Sequence, residues 1–198
     1  MSRKLYLDCS TGISGDMTVA ALLDLGADKE KLDKVLDSLK QKVTGFDVKV
    51  SQVEKSGIRA VDFDVVLDAD NHDHDMDYLY GHNHEHHGHE HHHHHEDHHH
   101  HDHDHDHEHH DHDHEQHHHH EHRNLASVIE IISAAEMTES AREIAVKVFT
   151  IVAEAEAAVH GRSLEDVHFH EVGAIDSIVD IISAAVCYDD IKDRFDLR

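Results

Sequence analysis

Apolar residues recur at two different spacings in the first 67 residues of the chain, and these spacings predict both strands and helices. Leu5 and Leu7 alternate with polar neighbours, which predicts a short strand over Lys4–Asp8. A helix is expected over residues 14–25, because apolar residues follow a Gly/Ser/Thr loop there and Gly26 supplies a stop signal.

A second helix and a hairpin complete this first part of the chain. Asp28 is placed to cap the helix at its start. The apolar face of that helix consists of Leu32, Val35, Leu36 and Leu39. Two alternating runs follow, namely Phe46, Val48 and Val50, and then Val61, Phe63 and Val65. Because the turn-forming segment Glu54–Gly57 separates the two runs, they are predicted to pair as an antiparallel hairpin.

Helical spacing returns in the last third of the chain and predicts three helices and one strand. The capping-box spacing of Ser140 and Glu143 marks the start of a long helix that ends near Gly161. A strand is expected over Val167–Val172, and a last helix from Ile175 to about Ile191. The apolar faces of the three helices are Leu125, Val128, Ile129 and Ile132; Ala141, Ile144, Ala145, Val148, Phe149 and Val152; and Ile178, Val179, Ile182 and Val186.

The periodicity stops over residues 68–122. The large apolar residues of this segment are only Met76, Tyr78, Leu79 and Tyr80. Ordering costs about 1–2 kcal/mol per residue, which so few apolar side chains do not offset, and a disordered insertion is therefore predicted. The flanks, residues 1–67 and 123–198, are expected to form one discontinuous α/β (α+β) domain, in which one small sheet is covered by helices.

Charge and cysteine content narrow the class of protein. The formal net charge is −26, whereas binding to nucleic acid or to an anionic membrane surface requires clustered Lys and Arg. No run of about 20 apolar residues could span a bilayer, and the first residues lack the pattern of a signal peptide. Cys9 and Cys187 are the only cysteines, which fits a reducing cytoplasm.

The insertion carries the most evident chemistry. Of the 31 histidines, all but His160, His168 and His170 lie in residues 72–122, interleaved with Asp and Glu and without Lys or Arg. Imidazole mixed with carboxylate suits nickel, copper or zinc. An inert spacer and an expression tag are the alternatives. The candidate ligands in the insertion are His91, His92, His93, His94, His95, His98, His99, His100, His101, His117, His118, His119 and His120.

A second metal candidate follows in the predicted folded part. If residues 167–172 form a strand, His168 and His170 share one face, and Glu171 lies beside them. The alternative is a pair of hydrogen-bonded histidines with no metal. Asp176 and Asp180 stand four apart on the last predicted helix and could converge on the imidazoles, or could belong to an ordinary solvated face.

The loop between the first strand and the first helix is a further candidate for ligand binding. Backbone N–H groups at such a helix start bind phosphate, and Gly12 and Gly15 allow close approach of a ligand. The loop lacks the Lys of a P-loop, and Asp8 and Asp16 favour a metal over bare phosphate. A capped turn without ligand is the alternative. Cys9 could be a thiolate ligand or a buried side chain. The candidate binding residues of this loop are Asp8, Gly12, Ser14, Gly15 and Asp16.

Three features together resemble the LarC family of nickel-pincer cofactor biosynthesis. They are the segment Asp8–Met17, a His-rich insertion after the hairpin, and the segment Val167–Asp180. The resemblance implies CTP-dependent insertion of nickel into pyridinium-3,5-bisthiocarboxylic acid mononucleotide, for use by lactate racemase and related enzymes. His168, His170 and Glu171 are the candidates for holding the nickel and for catalysis, and Asp176 is a further candidate metal ligand. Asp8 and Asp16 are candidates for binding the mononucleotide or a second metal.

The resemblance also implies what this chain does not contain. Family members have a C-terminal domain that binds CTP with a divalent metal, so the chain is expected to be the N-terminal, nickel-binding part. Its partners are then the C-terminal part, in cis or in trans, and the mononucleotide substrate; a homo-oligomer stays open. The alternatives are a non-catalytic nickel store or metallochaperone, and a general zinc or copper buffer.

The pH dependence of nickel binding tests the role of imidazole. Unperturbed imidazole titrates near ~6.5 and only the neutral ring binds metal. Nickel binding by the chain should therefore weaken steeply below about pH 6. Undiminished binding in calorimetry at pH 5 would count against histidine ligation.

Overall fold

The computed structural model describes residues 3–68, 123–169 and 173–197. Within these ranges the chain is a mixed α/β protein with one two-stranded sheet, which confirms the predicted fold class. The insertion predicted over residues 68–122 lies, from residue 69 onward, outside the described residues. The elements are α1 (Gly15–Asp24), α2 (Lys29–Lys40), β1 (Phe46–Lys55), β2 (Ile58–Leu67), α3 (Leu125–Ala134), α4 (Glu139–His160) and α5 (Ile175–Phe195).

The hairpin forms as the alternation predicts. β1 and β2 are antiparallel, and Lys55 pairs with Ile58 across a two-residue turn. Both turn residues have positive φ, 54° at Ser56 and 79° at Gly57, as a tight type I′ connection requires. Phe46 and Phe63 are buried against the helices, so one face of the hairpin belongs to the core.

Helix α5 lies at the centre of the fold. It packs against α1, α2, α4 and β2, while α3 packs against α4 and α2. Because α5 has neighbours on most sides, even polar positions along it are buried. Its buried residues are Ile175, Ile178, Val179, Ile182, Ser183, Ala185, Val186, Cys187, Asp189, Asp190 and Ile191.

Carboxylates on α5 hold the N-terminal ends of three other helices. Asp190 accepts the backbone N–H of Asp28, the N-cap residue of α2, at 2.8 Å. Asp189 accepts the hydroxyl of Thr138, the N-cap of α4, at 2.6 Å. The third is Asp180, which accepts the backbone N–H of a first-turn residue of α1. Helix N-termini carry partial positive charge and unpaired N–H groups, so they are favourable partners for buried carboxylates.

Of two predicted strands, one is wrong as a regular strand and the other is only partly described. Within the ranges that the structure describes, Lys4–Asp8 forms no ladder with another strand, and the neighbouring bridge is a single parallel one between Arg3 and Leu197. In Val167–Val172, the described residues make one antiparallel bridge, between His168 and Asn124, and residues 170–172 lie outside the described ranges. Alternation alone did not reveal that, among the described residues, no strand lies beside Lys4–Asp8. The strand over Val167–Val172 stays a prediction.

Of the two N-caps predicted for helices, one is confirmed and one is wrong. Asp28 caps α2 as predicted, accepting from the N–H of Glu30 at 3.0 Å. The capping box assigned to Ser140 and Glu143 is wrong, since α4 begins two residues earlier and is capped by Thr138. Thr138 rather than Ser140 is the N-cap because its hydroxyl also donates a hydrogen bond to Asp189 on α5. Local sequence spacing cannot indicate this contact.

The described helices do not reach the length and hydrophobicity that crossing a bilayer requires.

Replacing Asp190 tests how much its hydrogen bonds to the start of α2 stabilise the fold. Burial alone would raise the pKa of Asp190, but the hydrogen bonds from Lys31 and Asp28 and the charges of Lys31 and Arg194 outweigh burial and lower it. Asp190→Ala should reduce the free energy of unfolding by about 2 kcal/mol, the value of hydrogen bonds to a charged group. Urea denaturation at pH 7 measures this loss.

The matched control is Asp33→Ala, which removes the exposed ion pair with Lys29 and should change stability little. Because the folded-state pKa of Asp190 is lowered, its contribution is present above the unfolded value of 3.8 and is lost as the pH falls below it. Equal effects of the two substitutions would contradict the anchoring role.

Candidate functional site

His168 is an exposed imidazole held between two core residues. Val167 and Phe169 are only 1% and 2% exposed, and the ring of Phe169 meets that of Phe149 edge to face at 5.8 Å. Because alternate residues of an extended segment point to opposite sides, burial of these neighbours directs His168 outward. The backbone of the motif is thus fixed by the core while its imidazole is available to solvent.

Arg123, the first described residue after the insertion, is joined to the same motif at two points. Its carbonyl accepts the N–H of Phe169 at 2.9 Å. Its guanidinium donates to the carbonyl of Gly173 at 3.0 Å. These bonds bracket His170 and Glu171 in sequence. The chain that leaves the His-rich segment is therefore attached on both sides of the predicted metal-binding motif.

A small cleft of about 100 Å³ adjoins His168, and basic side chains line most of it. Its lining residues are His160, Arg162, Val167 and His168. His160, the last residue of α4, lies 3.2 Å from the Glu156 carboxylate, one turn back on the same helix. Three nitrogen-bearing side chains around one cleft offer donors to an anionic group. Sequence reasoning missed His160 and Arg162, because the His160-Gly161 pair was read only as a helix end.

The loop before α1 is organised by local contacts. Asp8 accepts the N–H of Ser10 at 3.1 Å. Hydrogen bonds from the side chain and then the backbone of Ser10 lower the pKa of Asp8. Gly12 donates to the carbonyl of Cys9 at 3.0 Å, and its φ of 86° favours glycine. Cys9 is exposed, so the expectation of a buried side chain is wrong. Ser14 is the N-cap residue of α1 but makes no side-chain capping bond.

Asp180, rather than the N-cap residue Ser14, supplies the side-chain acceptor at the start of α1. Its carboxylate accepts the backbone N–H of Asp16, and Gly15 approaches so closely that an added Cβ would lie 2.6 Å from the Asp180 Cβ. Glycine is therefore required at the first residue of α1 on steric grounds. Burial first, and then the negative charges of Asp16 and Asp176, raise the pKa of Asp180 to about 7.

The structure therefore brings together some of the predicted site residues. Asp16 and Asp176 meet near Asp180, which connects the loop before α1 with the start of α5. Among the described residues, no group of three His, Cys, Asp or Glu has a geometry that could hold a metal ion. His170, Glu171 and the insertion histidines lie outside the described residues, so the ligand set stays a prediction.

The exposed imidazole and the donor-lined cleft could bind a metal ion or an anionic group. Comparison with known proteins identifies the protein family. The family model described as nickel insertion protein matches residues 5–194. The chain belongs to this nickel insertion protein family.

Three curated relatives carry the name pyridinium-3,5-bisthiocarboxylic acid mononucleotide nickel insertion protein. The chain is 42% identical to that of Alkaliphilus metalliredigens, over 97% of this chain and 38% of the relative. It is 41% identical to that of Clostridium acetobutylicum, over 96% and 41%. It is 35% identical to that of Akkermansia muciniphila, over 96% of this chain and 36% of the relative. The chain thus spans about two fifths of the length of these relatives, and no solved structure matches it.

The pH dependence of stability tests the environment of Asp180. Since its pKa is raised from 3.8 to about 7, the folded state holds the proton more tightly than the unfolded state, and stability should fall as the pH rises from about 4 to 7. After allowance for partial solvent screening, the fall should be on the order of 2 kcal/mol. Urea denaturation across this pH range measures it.

Asp180→Asn should remove this pH-dependent loss while keeping an acceptor for the Asp16 N–H. Asp64→Asn, at an exposed position on the hairpin, is the matched control and should leave the loss in place. A wild-type profile that matches that of Asp180→Asn from pH 4 to 7 would show that the buried carboxylate does not titrate as described.

Proposed function

We propose that this chain is the nickel-binding N-terminal part of a CTP-dependent nickel insertase that acts in the cytoplasm. The substrate is pyridinium-3,5-bisthiocarboxylic acid mononucleotide, and the product is the nickel-pincer cofactor used by lactate racemase. The remaining length of the family, with the CTP site and its divalent metal, follows this part in cis or joins it in trans. Family membership and the names of the relatives support this proposal.

The observation that carries the proposal is the attachment of Arg123 to the motif that follows Val167. The hydrogen bonds to Phe169 and Gly173 attach Arg123, the residue that follows the insertion with its 28 imidazoles, to the motif that contains His168. Nickel bound by the insertion would then be released next to the folded site. Many overlapping, weak sites exchange metal readily, whereas a site built on a rigid backbone positions it.

His168, His170 and Glu171 would hold Ni²⁺ through nitrogen and oxygen donors. Such a site can give up nickel to the two sulfur donors and the pyridine carbon of the substrate. As the nickel–carbon bond forms, the ring C–H bond breaks and its proton passes to a nearby carboxylate or imidazole. His160 and Arg162, which line the adjoining cleft, are suited to bind an anionic group of the mononucleotide.

A nickel store or metallochaperone is the second candidate. The concentration of histidine in residues 72–122 favours it, because an imidazole-rich segment has a large metal capacity whether or not the core is catalytic. In this alternative the folded core serves only to dock on a partner.

An insertion assay with purified precursor, nickel and CTP tests the proposal. The chain should be inactive alone and active when the remainder of a family member is supplied. His168→Ala combined with His170→Ala should lower turnover at least about tenfold to a hundredfold, since even outer partners of metal ligands have effects of that size. Unchanged turnover would exclude these residues as the nickel site.

Deletion of residues 72–122 is the control that separates the two candidates. An insertase should keep its turnover when nickel is plentiful, although the number of nickel ions bound per chain falls sharply. Activity of the chain alone would contradict the assignment as one part of a larger enzyme. Loss of nickel capacity with no insertion in any combination would favour the store.

A further inference from the structure

The end of the described chain runs beside its beginning. Leu197 and Arg3 form a single parallel β-bridge, and the guanidinium of Arg3 lies 5.6 Å from the ring centroid of Phe195. In a parallel pair, both segments continue in the same direction beyond the bridge. In a longer protein, the polypeptide that continues in this direction from Leu197 would run alongside Lys4–Leu7.

The segment Lys4–Leu7 has an unused capacity for strand pairing. Its sequence has the alternation of a strand, yet within the ranges that the structure describes its backbone forms no hydrogen bond to another segment. Leu5 packs against the core, whereas Leu7, two residues on, is 54% exposed. A strand with free N–H and C=O groups is a template for an added strand.

Apolar side chains near this segment are also uncovered. Tyr6 is 85% exposed, Ile13 59% and Met17 63%, so together with Leu7 four large apolar side chains are exposed within residues 6–17. Large apolar side chains exposed so near one another in sequence, in a chain of net charge −26, favour an interaction site. We call Tyr6, Leu7, Ile13 and Met17 the N-terminal apolar surface.

We propose that Lys4–Leu7 pairs as a parallel strand with the polypeptide that follows residue 198 in longer family members, and that this polypeptide covers the N-terminal apolar surface. The register set by Arg3 and Leu197 places the second residue after Leu197 opposite Leu5, and the fourth opposite Leu7. The strand predicted over Lys4–Asp8 would then form only in the longer protein. The inference rests on the proposed function in one respect, namely that the remaining family length lies C-terminal to this part.

The length of the relatives favours this occupant over a second copy of the chain. About three fifths of each relative lies outside the matched region, which is ample to supply a strand and a covering surface. The bridge to Leu197 delivers that polypeptide to the correct edge without a search by diffusion. A second copy has no such connection to the edge and would have to reach it by diffusion.

Hydrogen exchange read by mass spectrometry tests the proposal. The samples are this chain alone and the same chain joined at residue 198 to the remainder of the Alkaliphilus metalliredigens relative. Amides of Lys4–Leu7 should exchange at least about tenfold more slowly in the joined protein, because strand pairing protects them. Leu7→Asp should abolish most of this protection. Ile151→Asp should not, since Ile151 is 57% exposed on α4 and matches Leu7 in exposure.

Each outcome decides the matter. Equal exchange in both samples overturns the proposal, and so does protection in the isolated chain that increases with concentration, which would identify a second copy as the occupant. Nickel insertion is assayed on the same joined protein. Insertion without protection would reject the docking surface alone, whereas protection without insertion would reject the proposed function alone.

Discussion

The fold depends on carboxylates of one buried helix that accept hydrogen bonds from the starts of three others. Asp180, Asp189 and Asp190 on α5 hold the N-terminal ends of α1, α4 and α2. Burying acids is costly in a chain of net charge −26, and of these three only Asp190 has basic partners within 4 Å among the described residues. The partial charge of the helix N-termini offsets part of the cost, and at Asp180 the uncompensated part raises the pKa to about 7.

This constraint also explains how distant parts of the chain reach the candidate site. Because α5 is fixed on several sides, the turn that leads into it is fixed too, and Arg123 attaches there through the carbonyl of Gly173. The described chain therefore resumes after the insertion at a defined place, at Arg123. In a member of the nickel insertion protein family, this attachment is the structural basis of the proposed transfer of nickel to the folded site.

Asp180 and His168 differ in how the hydrophobic core affects them: the core buries the carboxylate of Asp180 but fixes only the backbone of His168. Burial raises the pKa of Asp180 to about 7, and its proton affinity is thereby coupled to the seating of α1. His168 is instead exposed, with the core fixing only its backbone through Val167 and Phe169. A site that must take up a hydrated ion and release it benefits from the second arrangement, since an accessible ligand exchanges faster than a buried one.

The sequence by itself determined the hairpin, the cap at Asp28, the mixed α/β class and the family, because each depends on short-range pattern or on a long motif. Tertiary structure decided that Lys4–Asp8 has no partner strand in the part of the chain that the structure describes, that Thr138 rather than Ser140 caps α4, and that His160 and Arg162 share a cleft with His168. These features depend on which segments lie side by side. Periodicity reports which face of an element is apolar, but it does not report which neighbour covers that face.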